Sequence, residues 1–439
     1  MEDYFRYSIR IFFIFFAFDL VGAALDNETI SAYCSLAVVC SSWLIALTGV
    51  VKYNLLNDDR LPLFGKTIFA IFLALCLINV ARSVELPLNT PKSIPRYLGG
   101  VLYTPAWMVP VFILYGGNIK VWKEAWSIGL LFAKLFIWIT PLYLFFRSRN
   151  KLFFSNYHIL IQFIPLFMIN WHLIAKKYKI IIVGGFLIAC LFSVLNSERN
   201  FFARLFFYPI AYYGFIFFNK VPDKLSSFYK LSFGLLIIGA SFLLLYNGYV
   251  SKYISDPFIR ENVETFEKGN LNSDSRKMVY EDFFADFKRP EDFLFGRGVL
   301  GTTFSEQFIT IQIVRGIEEN IFRLPLGHRT EVEGGYLMYI LKVGLVGLFL
   351  MLALALGGLM LAFFQSNNYF VKATGIIIIE WLINMYPYGI PEYNFSNILF
   401  WLSIGCCLSK EMRSYSNEDI LSFFGEIKMA EIFKGVRII

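Results

Sequence analysis

The sequence predicts an all-α protein: a polytopic membrane helix bundle of about twelve transmembrane helices, with one large helical extracytoplasmic loop. Three observations predict it. Of 439 residues, 57% are hydrophobic and 19% aromatic, with only 17% charged, where a soluble chain of this length would show more charge. The apolar residues fall in runs of about the length that a bilayer demands. One long polar interval, 249–334, interrupts the series.

The expected spans are 8–25, 31–51, 63–83, 99–117, 122–146, 154–174, 178–196, 201–219, 229–248, 335–364, 370–387 and 393–409. The run 99–117 contains Pro105 and Pro110, so it is expected to be broken or re-entrant. The run 335–364 is long and is punctuated by Gly344 and Gly347, which predicts tilting, a kink or a split. The first apolar run lacks a small-residue cleavage site and leads straight into further spans, so no cleavable signal peptide is expected. This divides the chain into an N-terminal bundle (1–248), the loop (249–334), C-terminal transmembrane helices (335–409) and a cytoplasmic tail (410–439).

Lysine and arginine in the short loops set the orientation. With both termini inside, Arg6, Lys52, Arg60, Lys66, Lys120, Lys123, Lys176, Lys177, Lys179, Lys220, Lys224, Lys230 and a basic C-terminal tail lie on the cytoplasmic side. The opposite loops hold fewer cations, although Arg147, Arg149 and Lys151 run against the assignment. The interval 249–334 then lies outside. The net charge of +7 reflects this topology and not a nucleic-acid partner. The six cysteines all fall in apolar runs and read as small core residues.

Several functions are disfavoured. The chain has three histidines and no His-Glu-x-x-His, Cys-x-x-Cys or phosphate-cradling Gly-Lys-Ser/Thr loop, so it does not read as an ATP-driven pump or a metal enzyme of those types. Acidic residues well inside the spans are few, Asp19 and Glu380 being the clear ones, and no internal repeat is seen, which weighs against an ion-coupled transporter.

The residues that can carry chemistry cluster around the polar interval. Arg199 lies at an expected outer turn, in Leu195-Asn-Ser-Glu-Arg-Asn-Phe-Phe-Ala-Arg204. It either pairs with Glu198 or forms a fixed anion site, since guanidinium binds phosphate bidentately and keeps its charge. Arg204, in the next span, adds a second cation. Arg276 opens a predicted loop helix capped by Asn272, Ser273 or Asp274, with Val279, Phe283 and Phe287 forming one apolar stripe. That helix is expected to lie on the membrane surface or on the bundle. Arg276 in its first turn opposes the helix dipole, so it calls for an anionic partner, either a ligand or Asp274 or Glu281. Arg297 sits in the glycine-rich turn Gly296-Arg-Gly-Val-Leu-Gly301, which is expected to let backbone approach a partner closely. The segment 304–323 has the pattern of a second surface helix, best explained by packing. At the end of the loop, His328, Glu331 and Glu333 can serve as a general base tuned by partial burial, although glutamates also simply stabilise a helix N-terminus.

These anchors carry a resemblance. The chain is similar to the O-antigen polymerase and ligase superfamily, polytopic bacterial inner-membrane proteins with one large periplasmic loop late in the chain. Members return to the membrane with a pattern close to His-Asn-x-Tyr-Leu-x-x-x-x-x-x-Gly-x-x-Gly. Here the corresponding stretch is Glu333-Gly-Gly-Tyr-Leu-Met-Tyr-Ile-Leu-Lys-Val-Gly344-Leu-Val-Gly347. Ser-Glu-Arg199 resembles the family's Ser-x-Arg, and Ser275-Arg276 with Phe295-Gly-Arg-Gly resembles its loop element. Glu333 stands where ligases have histidine, and polymerases often carry an acidic residue there, so the resemblance favours a polymerase.

The resemblance implies a membrane glycosyltransferase joining undecaprenyl-pyrophosphate-linked repeat units on the periplasmic face of the inner membrane. Glu333, with His328 second, is the implied base. Arg199 and Arg276, with Arg204 and Arg297, are implied to hold the pyrophosphate. No metal or cofactor is called for. The implied partners are the lipid-linked glycan donor and acceptor, the bilayer and a chain-length regulator. The alternatives are a ligase transferring glycan to lipid A-core, a lipid-linked oligosaccharide flippase, and a metal-using glycosyltransferase built on Asp26-Asn-Glu28.

Overall fold

A computed structural model describes residues 1–11, 28–55, 59–82, 109–131, 134, 166–167, 171, 176–195, 275–306, 309, 326–332, 334–386 and 393–424. Among these residues the protein is mostly helical, and its sheet is one two-stranded ribbon. The expected spans 201–219 and 229–248, most of 154–174 and the loop residues 249–274 lie outside the described residues.

The first helix, α1, covers residues 2–11. It is followed by α2 (Glu28–Lys52) and α3 (Leu63–Ala81). Of the run with two prolines, residues 109–117 are described, and Pro105 lies outside the described residues. Val109–Phe112 forms a 3-10 turn around Pro110, Ile113–Gly116 forms the single turn α4, and residues 119–131 form α5. Helix α6 is Lys176–Leu195. The loop contributes α7 (Ser275–Asp286), α8 (Pro290–Phe295), β1 (Thr303–Phe304) and β2 (His328–Arg329). The C-terminal part contains α9 (Gly335–Gln365), α10 (Tyr369–Asn384), α11 (Phe395–Leu408), α12 (Lys410–Ser414) and α13 (Asn417–Phe424). Among the described residues, Leu63–Val80 and Gly335–Gln365 are long and apolar enough to cross a membrane.

Helix α9 is the centre of the assembly and packs against α3, α10 and α11. Helix α11 crosses α4 at backbone distance. A methyl group on Gly116 would sit 2.9 Å from the Cys406 nitrogen, and one on Gly405 would sit 2.8 Å from the Ile113 carbonyl carbon. Small residues at such crossings are the usual device for bringing membrane helices together. Large aromatic residues fill the space around them: Phe72 lies on Trp401 at 5.6 Å, and Trp381 stacks on Phe400 at 5.7 Å.

The two ends of α3 meet different partners. At the Leu63 end, the Lys410 N–H donates to the Arg60 carbonyl (3.0 Å), and Arg60 pairs with Glu411 at 3.1 Å. Residues 410–424 are therefore not a loose tail. Met412, Ile420 and Phe424 are buried, with Phe424 against Phe370 and Trp126. At the Arg82 end, the Asn79 carbonyl accepts from the Val299 N–H at 3.2 Å, and Arg82 reaches the Phe295 carbonyl at 3.4 Å. One end of the bundle holds residues 410–424, and the other holds the described part of the loop.

Candidate active site

Helix α7 forms where the apolar stripe predicted it. Val279, Phe283 and Phe287 are buried, and Phe283 stacks on Phe287 with ring centroids 4.3 Å apart. The stripe faces protein. Arg276 is the second residue of the helix; its side chain lies outside what is described.

Arg297 is enclosed by this loop unit. Its guanidinium pairs with Asp286, donates to Asp292 at 3.0 Å and to the Thr302 and Asp286 carbonyls at 2.8 and 3.0 Å, and lies over the Phe287 ring at 4.2 Å. The Asp286 carboxylate also accepts from the Thr303 hydroxyl and the Phe304 N–H, each at 3.1 Å. A planar fork suits this arrangement because it satisfies several acceptors at fixed angles. Arg297 thus ties α7, α8 and β1 together, and four of its five N–H donors are used by the protein itself.

The glycines around Arg297 bring backbone onto backbone, as the sequence suggested. Gly344 interrupts α9 with φ 71° and ψ −178°. A methyl group there would fall on the Leu294 carbonyl and 2.5 Å from the Phe295 nitrogen. Gly296 has φ 75°, and a methyl group on it would lie 2.6 Å from the Lys342 carbonyl carbon. In the helix break, the Leu341 carbonyl accepts from the Arg297 N–H at 2.7 Å. A carbonyl released by the kink is thus satisfied by the loop.

Lys342 is one of the site's central residues, and the sequence reading did not single it out. It is 2% exposed. Its ammonium donates to the Gly301 carbonyl at 3.1 Å and to the Thr330 carbonyl. A buried cation needs such acceptors, and these two flank the β1–β2 ribbon at its Thr303–Arg329 end. A lysine in the long apolar run 335–364 was a visible signal.

The loop also closes at its far end. The β1–β2 ribbon pairs Phe304 with His328 and Thr303 with Arg329 in antiparallel register, an element that helical periodicity did not predict. His328 lies beside the Phe304 ring, 5.4 Å between centroids, and is partly exposed. The α9 N-terminus points its Gly335 N–H at the Met385 carbonyl (2.7 Å), end to end with α10. Tyr280 of α7 stacks on Tyr386 at 5.2 Å, and its hydroxyl donates to the Tyr386 carbonyl at 3.3 Å. Gly334 lies in the same contact: a methyl group on it would be 3.5 Å from the Tyr280 hydroxyl.

The structure therefore brings together the Arg276 helix, the Arg297 network, His328 and the point where the chain rejoins α9. Arg199, Arg204 and Glu333 lie outside the described residues. No family model, curated protein or solved structure matches the chain.

Proposed function

We propose that the protein is a membrane glycosyltransferase that polymerises lipid-linked oligosaccharide repeat units, built on a bundle of about twelve helices with the loop on the periplasmic face. The observation that supports it is the junction at Tyr280. That residue follows Arg276 by one helical turn and contacts both Tyr386 and Gly334. Gly334 is preceded in the chain by Glu333. An anion-binding candidate and a base candidate thus belong to segments that meet at one joint.

In this reading Glu333, with His328 second, accepts the proton of an acceptor sugar hydroxyl. The oxygen forms a bond to the donor's anomeric carbon as the bond from that carbon to the pyrophosphate oxygen breaks. The lipid pyrophosphate leaves with the electron pair. Arg199, Arg204 and Arg276 stabilise its charge. Arg297 acts one step back: with four of its five donors taken by Asp286, Asp292 and loop carbonyls, it holds the shape of the unit that carries Arg276.

The test is the surface-polysaccharide ladder of a strain carrying Arg276→Ala. Long polymer should disappear while capped single repeats persist. An unchanged ladder would remove Arg276 from the reaction. In a strain lacking the protein, complete loss of attached polysaccharide would instead indicate a ligase or a flippase.

A further inference from the structure

Helix α9 is too long for one membrane. Its 31 residues extend about 46 Å at 1.5 Å per residue, against a hydrocarbon core of about 30 Å. The kink at Gly344 divides it into unequal parts. Residues 345–365 alone extend about 31 Å, and the 19 residues of α3 about 28 Å. The C-terminal part of α9 and α3 are therefore each one membrane thick.

Burial divides at the same place. Before the kink, every residue from Gly335 to Val343 except the half-buried Tyr336 is enclosed by protein. After it, Phe349, Ala353, Leu356, Met360 and Phe364 are exposed along one stripe. Exposed Phe64, Ile71 and Ile78 form the equivalent stripe on α3, one turn short of Arg82. Gly344 and Arg82 are level, because both contact the end of α8: Leu294 and Phe295 meet the kink, and Arg82 donates to the Phe295 carbonyl. Leu294 and Phe295 are themselves exposed, at 43% and 48%, where the two stripes end. Exposed Lys288 and Arg289 lie at the opposite end of this six-residue helix, about 9 Å away.

We propose that the membrane surface on the loop side crosses the chain at Arg82, Phe295 and Gly344, and that Leu294 and Phe295 insert into that lipid leaflet. The occupant of this apolar patch is lipid, because it continues two stripes of membrane-facing side chains. Arg82, Lys288 and Arg289 lie at the height of the phosphates. Residues 335–343, with Lys342, belong to the extramembrane unit. The inference rests on α3 and α9 being membrane spans and does not depend on the glycosyltransferase reading.

Nitroxide labels on single introduced cysteines test it in the full-length protein, in phosphatidylethanolamine–phosphatidylglycerol vesicles, with labelling of the unsubstituted protein as background. The labels are placed at 291, 294, 295, 349, 353, 356, 360 and 364, and relaxation by oxygen is compared with relaxation by a water-soluble nickel chelate. If the surface is at Gly344, the bilayer midplane, about 15 Å deep, falls ten residues on, near Leu354. Oxygen preference should then peak at 353–356 and decline towards both 349 and 364. Labels at 294 and 295 should favour oxygen, and the label at 291 should favour nickel. If the surface is instead at Gly335, the midplane falls near Leu345 and oxygen preference falls steadily from 349 onwards. That result would overturn the proposal. Nickel preference at 294 and 295, or shielding of both from either agent, would overturn the insertion of α8.

Discussion

Substituting Gly344 with alanine tests the joint between the loop and α9. Gly344 has φ 71° and ψ −178°, a region almost confined to glycine, where an L-side chain costs about 1–3 kcal/mol. The added methyl group would lie 2.5 Å from the Phe295 nitrogen, about 1 Å inside ordinary contact distance. Its neighbours are backbone atoms and cannot swing aside, so α8 must lift away. Lifting breaks the Arg297 N–H to Leu341 carbonyl bond, worth about 1 kcal/mol. Together these effects cost about 2–4 kcal/mol, with strain relief by loop movement favouring the lower figure. If the cost falls on loop docking, the population with the loop detached rises roughly thirtyfold to several-hundredfold. Limited proteolysis within 286–305 reads that population when reclosing outpaces cleavage. Gly357→Ala is the control, because its methyl group meets only the movable Phe64 ring, at 3.1 Å. A Gly344→Ala cleavage rate within threefold of the parent would refute the reasoning.

Lys342→Met removes the donor shared by Gly301 and Thr330 and leaves two carbonyls without it. Loop docking should weaken by about 1–3 kcal/mol, seen as faster loop proteolysis with a nearly unchanged melting temperature for the helices. Arg297→Lys keeps the charge but loses the fork between Asp286 and Asp292; a cost of about 1–3 kcal/mol to the loop is expected, read by the same proteolysis. At the other end, Ser416 and Asp419 form a reciprocal cap on α13, and the Ser416 backbone N–H and hydroxyl hold the Asp419 carboxyl below its usual range. This support is present at neutral pH and is lost as pH falls through the lowered value, which lies below 3.8. Amide exchange at the start of α13, corrected for its intrinsic pH dependence, should accelerate there; the same correction showing no change would remove the cap.

Hydropathy made the helices legible, and proline and glycine made their interruptions legible. Gly344 breaks α9 at a backbone conformation suited to glycine, and Pro110 sits in a 3-10 turn. The Val279, Phe283 and Phe287 stripe located α7, because a buried face imposes its period on the sequence. The ribbon was not legible: two residues per strand are too few to show alternation. Arg297 stood out as a cation, but its role depends on Asp286 and Asp292, and sequence alone does not pair charges across a fold. Lys342 shows in the sequence only as a lone cation in an apolar run, because the Gly301 and Thr330 carbonyls that hold it are brought to it by the fold. The end of the loop was recognised as important, while the joint that Tyr280 makes with Tyr386 rests on residues more than a hundred positions apart.

The crossing of α4 and α11 places a demand on biosynthesis. Gly116 lets the Leu402 backbone approach and Gly405 the Ile113 backbone, across nearly three hundred residues of chain. At roughly 5–20 residues per second, the ribosome supplies α11 about 15–60 s after α4 emerges. Throughout that interval the interrupted segment around Pro110 lacks the helix that covers its backbone. A chaperone or another segment must shelter it, or it must wait outside its final position. A chain stopped before residue 395 would never close this gap, and cellular quality control would have an open seam to recognise.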